Sequence, residues 1–174
     1  MTHRTPKSLF TLIVVIVMSL LILSGCAQSG GKAAQICPKN ANFCASWPIA
    51  KGDKLTSYTY ITKDGAPPFT EYLTRLPKGD DVEQYVVGVY DYTPAQEDRL
   101  MQSYQQGWDC AVDPQLAFKA KVCANSEAKS GNDTTWVTML VHDEKFLYLV
   151  EANSGTLEEP SQGREFIRSF QPNP

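Results

Sequence analysis

The chain has 174 residues, with 16 Lys and Arg against 19 Asp and Glu for a net charge of −3, and 43% of it is hydrophobic. This length suits one domain around one core. The acidic balance argues against a nucleic-acid partner held through its phosphates, and there is no polybasic patch for anionic lipid headgroups.

The first element in chain order is a secretory signal. A basic head (His3, Arg4, Lys7) precedes an apolar run from Leu9 to Leu23 and the small residues Ser24 and Gly25. These are the charged, apolar and cleavage regions of an exported chain. A plain membrane span is the alternative, but Ser8 to Gly25 falls short of the roughly 20 apolar residues a span needs. The tetrapeptide Leu23-Ser24-Gly25-Cys26 resembles the lipobox of bacterial lipoproteins. That resemblance implies cleavage before Cys26, acylation of its sulfur and of its new amine, and a life tethered to a membrane outside the cytoplasm. Two or more acyl chains hold a protein stably where one holds it marginally. Ala27 stands where enterobacterial lipoproteins kept at the inner membrane carry Asp, which implies the outer membrane, facing the periplasm. Residues 1–25 are therefore expected to be the signal. Residues 26–35, small and polar with paired glycines, are expected to be a flexible tether. Residues 36–174 are expected to be the periplasmic domain, and the chain left after Arg4 and Lys7 are cut away, residues 26–174, carries 14 basic against 19 acidic side chains.

Apart from Cys26, four cysteines remain: Cys37, Cys44, Cys110 and Cys123. An even number in an oxidising compartment reads as two disulfides. Three pairings exist. The local ones, Cys37–Cys44 and Cys110–Cys123, are favoured because each closes a short segment holding turn formers. The spacings fit a zinc site poorly.

Residues 55–63, 69–76 and 83–92 read as strands, separated by turns at Gly65-Ala66-Pro67-Pro68 and Pro77-Lys78-Gly79-Asp80-Asp81. In the third, Tyr85, Val87 and Val89 share one face and Val86, Gly88, Tyr90 and Tyr92 the other, so it is expected to be central and covered on both sides. A helix of about 13 residues follows, with Thr93 as cap, Pro94 at the first helical position, Gln96 completing a capping box and Gly107 as stop. Residues 117–123 suggest a strand, and 124–133 a polar loop. Residues 136–142 and 146–150 flank Asp143-Glu144-Lys145 as a β-hairpin. A loop over 153–163 leads to a short helix over 164–170. The order predicts an α+β fold: an antiparallel sheet flanked by two helices, stapled by disulfides.

The close of the chain, Phe146 to Ala152 followed by Arg164-Glu165-Phe166-Ile167-Arg168-Ser169-Phe170, is similar to the end of Mog1/PsbP-like domains. That family includes periplasmic lipoproteins and non-enzymatic accessory proteins. It has no shared catalytic set, so the resemblance implies no site residue.

Residues able to carry chemistry are few. His142 is the sole histidine after Cys26, at the hairpin mouth on the Trp136–Thr138–Leu140 face, and reads as a solvated turn histidine. No Ser or Cys stands in a nucleophile motif. Gly79, Asp80, Asp81 and Glu83 lack the alternate spacing of a calcium loop, and Glu158-Glu159 reads as solvated loop. Asn132-Asp133-Thr134 matches a glycosylation sequon by chance. No cofactor, metal or catalytic residue is expected. The aromatic residues are more informative: Tyr58, Tyr60, Tyr90, Tyr92 and Trp136 form a candidate binding surface, on whichever face the helices leave open. The sequence thus predicts a non-enzymatic envelope lipoprotein that works by binding, with an envelope protein as partner. The alternatives are a small envelope enzyme, an inhibitor of a toxin or host enzyme, and a structural part of an envelope complex.

Overall fold

The computed structural model describes residues 33–39, 41–50, 52–61, 68–105, 108–118, 120–127 and 133–172. The expected signal over residues 1–25, Cys26, most of the expected tether, the turn residues 65–67, Asn132 and Gly107 lie outside the described residues.

Two antiparallel sheets and two helices make up the described fold. In the larger sheet, β3 (Thr56–Tyr60), β4 (Phe69–Lys78) and β5 (Asp81–Asp91) form one meander. Helix α1 (Pro94–Gln105) leads to a second meander of β6 (Asp109–Val112), β7 (Lys121–Glu127), β8 (Thr134–His142) and β9 (Phe146–Ser154). The meanders join where β5 pairs with β9, giving the order β3-β4-β5-β9-β8-β7-β6. The smaller sheet sets β2 (Phe43–Pro48) between β1 (Ala33–Ile36) and β10 (Gln171–Pro172). The second helix, α2 (Gly163–Ser169), lies between the two sheets and packs on β2, β8 and β9.

The inner face of the large sheet therefore carries the core. Tyr85, Val87, Val137, Met139, Tyr148, Val150 and Ala152 meet Phe43 and Trp47 from β2 and Phe166, Ile167 and Phe170 from the α2 region. Phe166 sits 5.0 Å from Trp47 and 5.5 Å, edge-on, from Tyr85, ring centre to ring centre. Phe170 stacks on Phe43 at 5.5 Å. Burying each such side chain contributes about 1.5–3 kcal/mol. Ser169 ties the helix end to β2: its hydroxyl accepts from the Ser46 N–H at 2.8 Å and donates to the Phe166 carbonyl at 2.7 Å.

Local chemistry explains the element ends. Thr93 Oγ1 accepts the Gln96 N–H at 3.1 Å, as a cap should, while the Gln96 side-chain oxygen is taken by the Arg99 guanidinium. Gly79 holds the left-handed φ of +62° that the β4–β5 turn requires. Asp143 builds the β8–β9 turn, its Oδ1 accepting the N–H groups of Lys145 and Phe146 at 2.7 and 2.6 Å. Burial works against the charge on Asp143, but these bonds and one from Tyr148 outweigh it and hold its carboxyl below the usual range.

Both disulfides follow the local pairing, Cys37–Cys44 and Cys110–Cys123. The second joins residues directly opposed on β6 and β7. Three expectations are corrected. Ala33, Ala34 and Gln35, expected to be flexible, form a strand instead, pairing with Pro48, Trp47 and Ser46. The strand expected at 117–123 runs instead from Lys121 to Glu127, since Asn125 and Ser126 pair with Trp136 and Thr135 rather than forming a loop. And the helices do not flank the sheet evenly. A second sheet shares the inner face with α2, which makes the domain more sheet-dominated than the sequence pattern suggests.

Candidate functional site

The outer face of the large sheet has only α1 to cover it among the described residues. Leu100 packs with Tyr92, Leu140 and Leu147 at one end of this face. Register places the remaining residues in rows across the strands. The first row runs Tyr60, Phe69, Tyr90, Leu147, His142; the second runs Tyr58, Glu71, Gly88, Leu149, Leu140. A third brings Val86, Glu151, Thr138 and Cys123 together.

All five aromatic residues of the candidate surface lie on or beside this one face. Tyr60 stacks on Phe69 at 4.9 Å, and Phe69 on Tyr90 at 4.7 Å, so three neighbouring strands share a continuous ladder of rings. Such cross-strand pairs are the unit of sheet stabilisation. Tyr58 and Tyr60 remain largely exposed, whereas Tyr90 is buried. Tyr92, just past β5, stacks on the His142 ring at 4.2 Å with the planes 7° apart. Trp136 meets Trp108 at 6.2 Å, further down β8. The five thus share a face without forming one patch: Tyr58, Tyr60 and Tyr90 group at the β3 side, Tyr92 under α1, and Trp136 at the far corner.

Gly88 makes room in the middle. A Cβ there would stand 3.1 Å from Tyr90 Cε2 and 3.4 Å from its hydroxyl, so the Tyr90 ring folds over the glycine. This points its hydroxyl into an acidic field. Burial, then the charges of Glu71 and Glu151, push the Tyr90 phenol up to about 12. Glu71 also accepts a hydrogen bond from the Tyr60 hydroxyl, which raises that phenol too. Glu151 is held by Asn153 Nδ2 at 3.1 Å and by the buried Thr138 hydroxyl at 3.4 Å. Burial raises its carboxyl above the usual range, with Glu71 adding to the effect, although both hydrogen bonds work against it.

Beside Glu151 lies a cleft of about 280 Å³ between α1 and β7–β8. Leu140, Thr138 and Cys123 line it from the sheet, Glu97 and Met101 from the helix, with His142 and Lys121 at its margins. Glu97 Oε2 approaches His142 Nε2 to 3.9 Å. His142 also lies 3.1 Å, through Nδ1, from the Asp143 carbonyl. It is the exposed residue at the hairpin mouth that the sequence suggests, and it also stacks on Tyr92 with Glu97 nearby. Chemically the face offers rings, two carboxyls of unlike environment and a small amphipathic cleft.

The sequence reading missed Glu71, Glu151, Thr138 and the cleft. One signal was available, since Glu151 interrupts an otherwise apolar strand on the same face as Leu147 and Leu149. Asp80, Asp81 and Glu83 form no shared site. Gly79 and Asp80 make the turn, and Glu83 is buried on the inner face, bound by Tyr85, Ser161 and Lys78. Among the described residues no group of three or more His, Cys, Asp or Glu side chains is placed to hold a metal, and no helix is long and apolar enough to cross a membrane. No protein-family model, curated protein or solved structure matches the chain.

Proposed function

We propose that this chain is a lipid-anchored envelope protein that acts by binding, without catalysis, through the outer face of its large sheet. The anchor rests on Leu23-Ser24-Gly25-Cys26 and the apolar run before it. The observation that carries the binding reading is the asymmetry of the sheet. Its inner face is filled by a second sheet and a helix, while its outer face keeps exposed Tyr58 and Tyr60, a ring ladder and a cleft. Exposed aromatic residues on a rigid sheet make good anchors for a partner, because they bury large areas and lose little side-chain freedom. The partner we favour is another envelope protein.

The test is a crosslinking pull-down from native membranes with the lipidated chain, a Cys26→Ala control, and a Tyr58→Ser/Tyr60→Ser variant. One abundant partner, recovered with the anchored chain and lost with the double variant, is the expected result. A partner retained at full yield by the double variant would move the binding site elsewhere. An unanchored Cys26→Ala chain with the same partners and membrane content would remove the anchor.

A second reading, a small envelope enzyme, draws on one observation: a carboxyl with raised pKa (Glu151) lies near a second carboxyl (Glu71) and beside a cleft. Loss of a measurable turnover on Glu151→Gln would favour it over binding.

A further inference from the structure

We propose that β3 is a self-pairing edge, through which two copies of this chain join into one continuous sheet. The inference rests on the lipid anchor proposed above but not on what the sheet's face takes up, since it concerns the rim of the sheet. Strand β3 ends the seven-stranded sheet, pairing with β4 on one side and with no strand on the other among the described residues. All five of its residues are exposed, and Ile61, next in the chain, is 84% exposed. A sheet edge offers a row of free backbone donors and acceptors, which proteins guard with charge, proline or a bulge. β3 is Thr-Ser-Tyr-Thr-Tyr and has none of these guards. The opposite edge differs: β6 opens on Asp109, is stapled to β7 by Cys110–Cys123, and leads to Asp113, which pairs with Arg168 at 2.8 Å.

The occupant that fits is a second copy. Antiparallel pairing about a two-fold axis at Tyr58 sets Thr56 against Tyr60 and Ser57 against Thr59, with Tyr58 facing its own counterpart. The same register sets the exposed Ile61 against Leu55. Aromatic–β-branched, hydroxyl–hydroxyl and aromatic–aromatic pairs are the favourable cross-strand types, and no like charges meet. The chain already uses such a contact, between Thr59 Oγ1 and Thr70 Oγ1 at 3.2 Å. The axis stands normal to the sheet, so the outer faces of both copies lie on the same side and Tyr58 of the second copy extends the ring-bearing surface. Two five-residue edges bury less than the roughly 1,200 Å² of a stable interface. The pair is therefore weak in dilute solution and forms where chains are concentrated, as on a shared membrane.

The experiment places p-benzoylphenylalanine at position 58 of the full lipidated chain and irradiates native membranes. A covalent band at twice the chain mass is expected. It should be absent when the photoprobe stands at Val112, which is exposed on the opposite edge. Adding Ser57→Lys with Thr59→Lys opposes like charges twice and should lower the dimer yield about tenfold. Both positions are exposed, and a melting curve shows that the variant folds. With the chain shown by fractionation to be in the membrane, no dimer band, a dimer yield unchanged by the lysines, or crosslinks solely to a chain of another mass would each overturn the proposal.

Discussion

Glu83 is the most informative residue to remove. Its side chain is 1% exposed. It accepts from the Tyr85 hydroxyl at 2.6 Å, the Ser161 N–H at 2.9 Å and the Ser161 hydroxyl at 2.7 Å, and pairs with Lys78 at 3.3 Å. The Tyr85 hydroxyl in turn accepts from the Gln162 N–H at 3.3 Å. Through these bonds β5 holds the segment that starts α2. Glu83→Ala leaves the Tyr85 hydroxyl buried and short of its strongest partner, frees the Ser161 donors and opens a void. An orphaned buried group costs about 1–3 kcal/mol. Lys78 and Ser161 reach solvent and recover part of their loss, so the expected destabilisation is about 3 kcal/mol. Burial works to raise the Glu83 pKa, but the bonds from Tyr85, Ser161 and Lys78 hold it below the ordinary 4.5. Its stability contribution is therefore complete above about pH 4.5 and is lost as pH falls through the folded value. Urea unfolding of wild type and variant at a series of pH values measures both effects. The gap between the two should be widest near neutrality and should narrow in acid. A loss below about 1 kcal/mol at pH 7, or a gap that widens in acid, would refute the view that this carboxylate anchors α2.

Four further outcomes follow from the same geometry. Cys110→Ser with Cys123→Ser should cost about 3 kcal/mol by loop entropy for a separation of 13 residues, seen in urea unfolding of the oxidised variant against the oxidised wild type. Gly88→Ala should displace the Tyr90 ring and cost about 1–3 kcal/mol, with a change in near-ultraviolet circular dichroism from the Tyr60–Phe69–Tyr90 stack. Phe166→Ala removes the ring between Trp47 and Tyr85 and should cost about 3–5 kcal/mol in urea unfolding. Glu151→Gln should stabilise at pH 7, by up to about 1 kcal/mol. The Glu151 carboxyl has a raised folded pKa, so it favours the native state below that value and opposes it above; the advantage of Gln should vanish in acid.

Much of the fold was legible because its strongest signals are local. β4 and β5, the cap of α1, the β8–β9 hairpin and α2 all announce themselves within a few residues. The two disulfides were readable because each closes a short loop. β2 was not, since Phe43–Pro48 is buried along most of its length and shows no alternation, mixes small with aromatic residues, and ends on proline. β10 is two residues held only by β2, and nothing local predicts it. β7 hid behind its polar end, where Asn125 and Ser126 look like a loop until β8 pairs with them. For the outer face, the rings were visible but their grouping depended on register between distant strands. The same holds for Glu71 and Glu151, whose shared field exists only after β5 pairs with β9.

The smaller sheet bears on how the chain can fold. β2 is flanked by β1 on one side and by β10 on the other, so its pairing joins residues near 43 to residues near 171. The two meanders are local and can close early, but this last contact spans most of the domain. Long-range pairings of this kind form late and slow the overall rate. The buried aromatic side chains of β2 and α2 thus stay uncovered until Gln171 and Pro172 have been made and docked. A chain built this way keeps its core open until its last residues dock, and the Cys37–Cys44 bridge closes on the same strand that completes it.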